Sequence, residues 1–272
     1  MISAPGTAGR LAQLYGLRPQ ELYGPAGAAV YDSMCRYDST ELTDVLRLVQ
    51  ATAGPVLELA CGSGRLTFPL ASRGHEVVAL DNSATLLAMV KERLAAQRIS
   101  VVEGDMTQFV FDRSFSLIVL GTSSVCLLDA DQRAELFRRV ADHLTDDGVF
   151  YVSGLDLDDR LTARTRDAER VTVLVAGERV LTLHQYFSGR RGVRTTSLFT
   201  ETVTGHETTG RDLFTSEIFL VGSNLLREEV RAAGLEVVET RHSPPAEQRH
   251  FQLTCCRAGG GPWLSVTRSG SR

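Results

Sequence analysis

One feature constrains this chain more than any other: a train of alternating strand and helix signals that opens with a glycine turn. Val56-Leu-Glu-Leu-Ala-Cys-Gly-Ser-Gly-Arg-Leu-Thr67 runs an apolar strand into two glycines and then into a helix. Glycine lets a backbone take positive φ and approach a ligand closely, and the helix behind it offers unpaired N–H groups. Strand signals follow at Glu76–Leu80, Ile99–Glu103, Ser116–Leu120 and Val149–Leu155. Helix signals lie between them at Leu66–Ser72, Ser83–Ala96 and Asp131–Leu144, the last closed by Asp146-Asp-Gly148. The alternation predicts an α/β fold, a Rossmann-like parallel sheet with helices on both faces.

The rhythm then changes. Val171–Val175, Arg179–Phe187, Val193–Val203 and Asp212–Val221 read as strands split by Ala176-Gly-Glu, by Ser188-Gly-Arg-Arg-Gly192 and by the stretch Thr204–Gly210. This predicts an antiparallel β insertion. Asn224–Ala233 returns to helix with Gly234 as its stop, and Leu235–Thr240 and His250–Cys256 close the sheet. Upstream, Ser39 is placed as the N-cap of a helix carrying Leu42, Val45, Leu46 and Val49 at helical spacing. The expected organisation is a helical cap over residues 1–54, a core over 55–168, the insertion over 169–222, closing elements over 223–257 and a flexible Gly/Ser-rich tail over 258–272.

Composition narrows the function. A net charge of −4 and a pI near 5.9 argue against nucleic acid, whose electrostatic binders are basic. No apolar run reaches the roughly 18–20 residues that span a bilayer, and Met1–Leu17 lacks a signal-peptide pattern. Five cysteines without metal-type spacing fit a reduced, cytoplasmic setting, and no metal site is expected. Lys91, the one lysine, lies mid-helix. That leaves no Gly-Lys-Ser/Thr phosphate loop and no well-placed Schiff-base lysine.

Within the glycine turn, Thr67 holds the third position of the dinucleotide G-x-G-x-x-G pattern, where a glycine is wanted. Glu58 sits inside the preceding strand, and Asp81 ends the next one, where a carboxylate can take both ribose hydroxyls. At these residues the sequence resembles the class I S-adenosylmethionine (SAM)-dependent methyltransferases. Glu58, Ala60, Gly62 and Gly64, around Ser63, match the family's first motif, with alanine in the first glycine slot. The resemblance implies that Asp81 with Asn82 holds the ribose and that Asp105 and Met106 hold the adenine. It also implies that Leu120 and Gly121 line the methionine side, with S-adenosylhomocysteine (SAH) as product. It covers roughly residues 30–157 and the closing strands.

The insertion is similar to that of small-molecule N-methyltransferases, including those acting on amino sugars, and of enzymes that methylate modified-peptide amines. Through that resemblance Tyr31, in Val30-Tyr31-Asp32, is expected to cover the sulfonium and the acceptor amine. His184 and Tyr186 lie two apart on one strand, hence on one face, and are the other candidate catalytic residues. An amine needs only to arrive unprotonated, so holding it in line with the methyl supplies most of the catalysis. A hydroxyl acceptor wants a base or a metal. The expected partner is a small-molecule or peptide amine, with neither nucleic acid nor membrane. A homodimer through the insertion is expected, because an isolated sheet needs cover for a face and its edges. The alternatives are an O-methyltransferase, a nucleotide-dependent oxidoreductase and a non-catalytic SAM-binding domain.

Overall fold

The computed structural model describes residues 4–35, 39, 41–94, 98–155, 167–242 and 250–257. In chain order the elements are α1 (Gly6–Tyr15), β1 (Gln20–Glu21), α2 (Ala28–Cys35), α3 (Leu42–Ala51), β2 (Val56–Leu59), α4 (Thr67–Ser72), β3 (Val77–Asp81), α5 (Ala84–Glu92), β4 (Ile99–Glu103) and β5 (Phe115–Leu120). They continue as α6 (Ala130–His143), β6 (Leu144–Leu155), β7 (Ala168–Ala176), β8 (Arg179–Ser188), β9 (Val193–Thr204), β10 (Glu207–Phe219), α7 (Ser223–Ala232), β11 (Leu235–His242) and β12 (His250–Arg257). The expected tail over 258–272 and the helix end at Ala96 lie outside the described residues.

Two compact units result: Met1–Tyr37 with Leu157–Leu220, and Asp38–Asp156 with Val221–Arg272. The larger holds a seven-stranded sheet in the order β11-β12-β6-β5-β2-β3-β4. Strands β4, β3, β2, β5 and β6 are parallel, and β12 and β11 close the sheet antiparallel. Every residue of β2, β3 and β5 is buried, as a strand covered on both faces requires. From β2 the chain runs outward through β3 and β4, then returns to β5 and β6 on the other side. That reversal between β2 and β5 is where open α/β sheets form a crevice at their carboxyl ends.

The helical cap ends earlier than residue 54. Val45, Leu48 and Val49 of α3 bury against Val56, Leu70, Leu117 and Tyr151, so α3 belongs with the parallel sheet. Ser39 is not its N-cap. The helix starts at Leu42 behind Glu41, whose φ is 70°, while the Ser39 carbonyl accepts the Leu42 N–H at 3.1 Å. Ser83 and Asp129 do cap α5 and α6, the latter through a reciprocal box with Gln132. Asp146-Asp-Gly148 does not close α6. Leu144 pairs Phe115 and Val149 pairs Leu117, so the polar residues between them swell out of β6.

The smaller unit is a five-stranded sheet in the order β1-β10-β9-β8-β7. The final turn is tighter than expected: β10 already begins at Glu207, with its register shifting at Gly210. Phe199 pairs Leu213 and Leu198 pairs Phe214, so consecutive rows face opposite sides. On one side Phe199 and Leu213 pack against Ala8 and Ala12 of α1. On the other, Leu181, Leu198 and Phe214 pack against Val30 of α2, with Tyr31 and Met34 alongside. The chain's own helices thus cover both faces of β9 and β10. Among the described residues β7 is an edge strand, and its Val171, Val173 and Val175 are exposed.

Candidate cofactor site

The carboxyl ends of β2, β3, β4 and β5 gather the residues expected to hold a cofactor. After β2 the chain turns through Ala60, Gly62 and Gly64 at φ 51°, 57° and 89°. Gly64 must be glycine on packing grounds too, since a Cβ there would lie 2.7 Å from the Phe68 ring. Asp81, at the end of β3, ties the turn down. One carboxylate oxygen accepts the Gly62 N–H at 2.8 Å and the other the Ser83 N–H at 2.9 Å. Ser63 is buried, and its carbonyl accepts from Arg93, whose guanidinium lies 4.2 Å from the Phe68 ring centre.

Glu58 is buried inside β2 and accepts the Thr67 hydroxyl at 2.5 Å. Thr67 therefore fills the third-glycine slot with a partner for the acid. Burial pushes the Glu58 carboxyl up to about 8, against the pull of Thr67 and Arg65, and pushes Asp81 upward against its backbone N–H bonds. Next door, the Asp105 carboxylate accepts the Thr107 N–H and hydroxyl at 2.7 and 2.8 Å and is exposed. Asn82 is exposed and Met106 half-buried, while Leu120 and Gly121 are buried at the end of β5.

Three further residues, Glu41, Arg65 and Thr122, meet at this site. Glu41 accepts the Thr122 N–H at 3.1 and 2.8 Å with its two oxygens. Arg65 donates to Glu41 at 2.9 Å and to the Thr122 hydroxyl at 2.8 Å. Arg65 lies within the glycine-turn motif, directly after Gly64. Glu41, in a helix start read as capped by Ser39, gives no local signal.

The catalytic candidates stand differently. The cofactor residues from Glu58 to Gly121 fall in the unit containing the parallel sheet, whereas Tyr31, expected at both cofactor and acceptor, falls in the other with His184 and Tyr186. Tyr31 meets Tyr23 edge-on at 5.0 Å within the cluster that covers Leu183 and Leu198. His184 and Tyr186 share a face, as their spacing predicts, but it is the face opposite Leu183. His184 is 2% exposed, with a ring nitrogen 3.5 Å from Glu169, and burial lowers its basicity. Glu169 in turn accepts the Thr7 N–H and hydroxyl at 2.9 and 2.8 Å. The Tyr186 hydroxyl donates to Asp167 at 2.7 Å. The three do not form one constellation, because alternate strand positions separate Tyr31 from the other two.

Residues 56–148 match a family described as a methyltransferase domain. The chain carries a methyltransferase domain. It is similar to the cypemycin N-terminal methyltransferase of a Streptomyces species, at 30% identity over 145 residues, or 53% of this chain and 58% of that enzyme. The chain thus spans little more than half the length of this curated relative. Among solved structures, the CcbJ methyltransferase of Streptomyces caelestis shares the fold, with a TM-score of 0.73 and 23% identity over 88% of this chain and 98% of that one. The glycopeptide N-methyltransferase MtfA, complexed with SAM, aligns at a TM-score of 0.57 and 25% identity over 80% of this chain and 93% of that one. The larger unit thus has the class I SAM methyltransferase fold of these neighbours, with its seven-stranded sheet and its crevice at the β2–β5 reversal.

Proposed function

We propose that this protein is a SAM-dependent methyltransferase that methylates an amine of a small-molecule or peptide natural product. The observation that carries the reading is how the glycine turn is used. A dinucleotide site leaves such a turn's amides for a pyrophosphate. Here Asp81 takes the Gly62 N–H, and the Leu80 and Cys61 carbonyls take those of Cys61 and Gly64. Around the turn stand the acids Glu58, Asp81 and Glu41, with Arg65 acting on Glu58 from nearby. With burial holding Glu58 toward its neutral form and Glu41 paired with Arg65, the turn leaves few amides for a phosphate, and the Asp81 carboxylate suits a ligand that offers ribose hydroxyls.

When bound, SAM supplies a methyl group already activated by its positive sulfur. The protein's share is position. In this reading Asp81, with Asn82, engages the ribose; Asp105 and Met106 flank the adenine; Glu58 and the Ala60–Gly64 turn, with Leu120 and Gly121, border the methionine end. Tyr31 is kept as the residue that orients the acceptor, and His184 and Tyr186 serve the sheet. Cypemycin's N-terminus and a glycopeptide are the acceptors in the relatives' names. An amine acceptor also agrees with the chemistry, because a desolvated amine loses its proton more readily and then needs no dedicated base. None of the five cysteines is in a disulfide, which supports a reducing, cytoplasmic setting. No helix among the described residues is long and apolar enough to cross a membrane.

Thermal unfolding with saturating SAH, SAM, NADH or buffer tests the cofactor. A ligand at about 100 times its dissociation constant adds about 2.7 kcal/mol, which raises the Tm by about 5 °C or more for a chain of this size. Stabilisation by SAH and SAM alone is the expected result; stabilisation by NADH alone would overturn the reading. A homodimer contact is assigned to the β7 edge, whose exposed valines alternate along one face. Light scattering should give a dimer that Val173→Lys converts to a monomer, and a wild-type monomer removes the assignment.

A further inference from the structure

The backbone at the end of β5 is strained. Thr122 and Ser123 are successive non-glycine residues at φ 58°, and Glu41, which holds the first of them, is itself at φ 70°. Such conformations are unusual, above all for a β-branched residue. They persist only where the surroundings over-determine them, which happens mainly at functional sites.

Here the surroundings are specific. The Glu41 carboxylate takes the Thr122 N–H, Arg65 bridges that carboxylate to the Thr122 hydroxyl, and the Ser153 hydroxyl takes the Ser123 N–H at 3.1 Å. The Glu41 and Arg65 side chains are 1% and 10% exposed. Gly121 is wedged below them. A Cβ on it would lie 2.9 Å from Leu66 and 3.1 Å from the Glu41 carboxylate. The clamp joins three separate segments: the start of α3, the glycine turn after β2 and the turn after β5. The last two are the two sides of the crevice where strand order reverses.

We infer that Glu41 is a positioning residue for the cofactor. Locked by Arg65, it holds the Gly121–Ser123 turn in its left-handed form and so fixes the wall of the cleft facing the glycine turn. The inference rests on reading that cleft as the cofactor site.

The experiment measures SAH affinity by titration calorimetry, together with amide exchange over residues 118–128, in wild type, Glu41→Ala, Glu41→Asp and Glu41→Gln. Loss of the clamp lets the wall shift by a fraction of an ångström to an ångström. Glu41→Ala is expected to weaken SAH about tenfold or more and to speed exchange in the turn. Glu41→Asp keeps the charge beside Arg65 but falls short of Thr122, so it should fold like wild type and still bind SAH less well. Glu41→Gln keeps an oxygen for the Thr122 N–H and should recover most of the affinity. A purely stabilising ion pair would instead lower the Tm without this order among the variants. Affinities within twofold of wild type for both Ala and Asp overturn the proposal, as does a Gln variant no better than Ala. Failure of wild type to bind SAH would instead overturn the reading of the cleft; in that case unchanged exchange in Glu41→Asp overturns the clamp.

Discussion

Asp81→Ala should weaken SAH binding by about 3 kcal/mol, roughly a hundredfold. Hydrogen bonds from a ligand to a charged group are worth about 1.5–3 kcal/mol, and the ribose contact alone would account for that. The structure adds a second loss. The same carboxylate holds the Gly62 N–H and the Ser83 N–H, so its removal frees the glycine turn and the start of α5 together. Asp81→Asn separates the two contributions. Its single carbonyl oxygen serves one of the two amides, and its affinity should fall between alanine and wild type. Calorimetry on folded protein decides the matter, and an unchanged dissociation constant in Asp81→Ala would remove Asp81 from the site.

Glu229→Ala should cost about 3–5 kcal/mol of stability, the usual consequence of stripping one partner from a buried ion pair. Arg133 on α6 forms a two-pronged bridge to Glu229 on α7 at 2.7 and 2.6 Å, and its third nitrogen donates to the Leu128 carbonyl. The Arg133 side chain is 5% exposed and that of Glu229 16%. Without Glu229 the guanidinium keeps one protein acceptor and most of its desolvation penalty. The Tm should fall by about 10 °C, and urea unfolding should show the loss as a lower midpoint at unchanged slope. The double replacement Arg133→Met, Glu229→Leu removes both charges and should recover most of the deficit. A single variant within about 1 kcal/mol of wild type would mean that the pair is solvated and marginal.

Local pattern carried the architecture. Val56–Leu59, Val77–Asp81 and Phe115–Leu120 are short apolar runs punctuated by glycine or acid, and period-two and helical spacing are properties of neighbouring residues. The glycine turn was legible for the same reason, because Gly62, Gly64 and Asp81 follow or end adjacent strands in chain order. What failed to show depends on partners far along the chain. Glu41 acquires its role from Thr122, 81 residues away, and nothing near Glu41 announces that meeting. Thr67 looked like a departure from a glycine pattern and turned out to be the hydrogen-bond donor to Glu58. His184 and Tyr186 were correctly placed on one face, but which helix covers that face is a tertiary fact. It puts His184 and Tyr186 on the face that carries Phe199 and Leu213, and Tyr31 on the other.

The smaller unit also sets a schedule for the nascent chain. Four of its five strands come from residues after Leu157, while the short strand β1 and the helices on its two faces come from the first 37 residues. At ribosomal rates of roughly 5–20 residues per second, α1 and α2 wait about 10 to 40 seconds for β10 to be made. Throughout that interval Ala8, Ala12, Val30 and Tyr31 have no native surface to settle on. Parts of the parallel sheet, whose β2–β6 run is contiguous, can be assembling meanwhile. Helices α1 and α2 are thus synthesised well before the strands they pack on and find their place only after them, so chaperone demand in this protein should concentrate there.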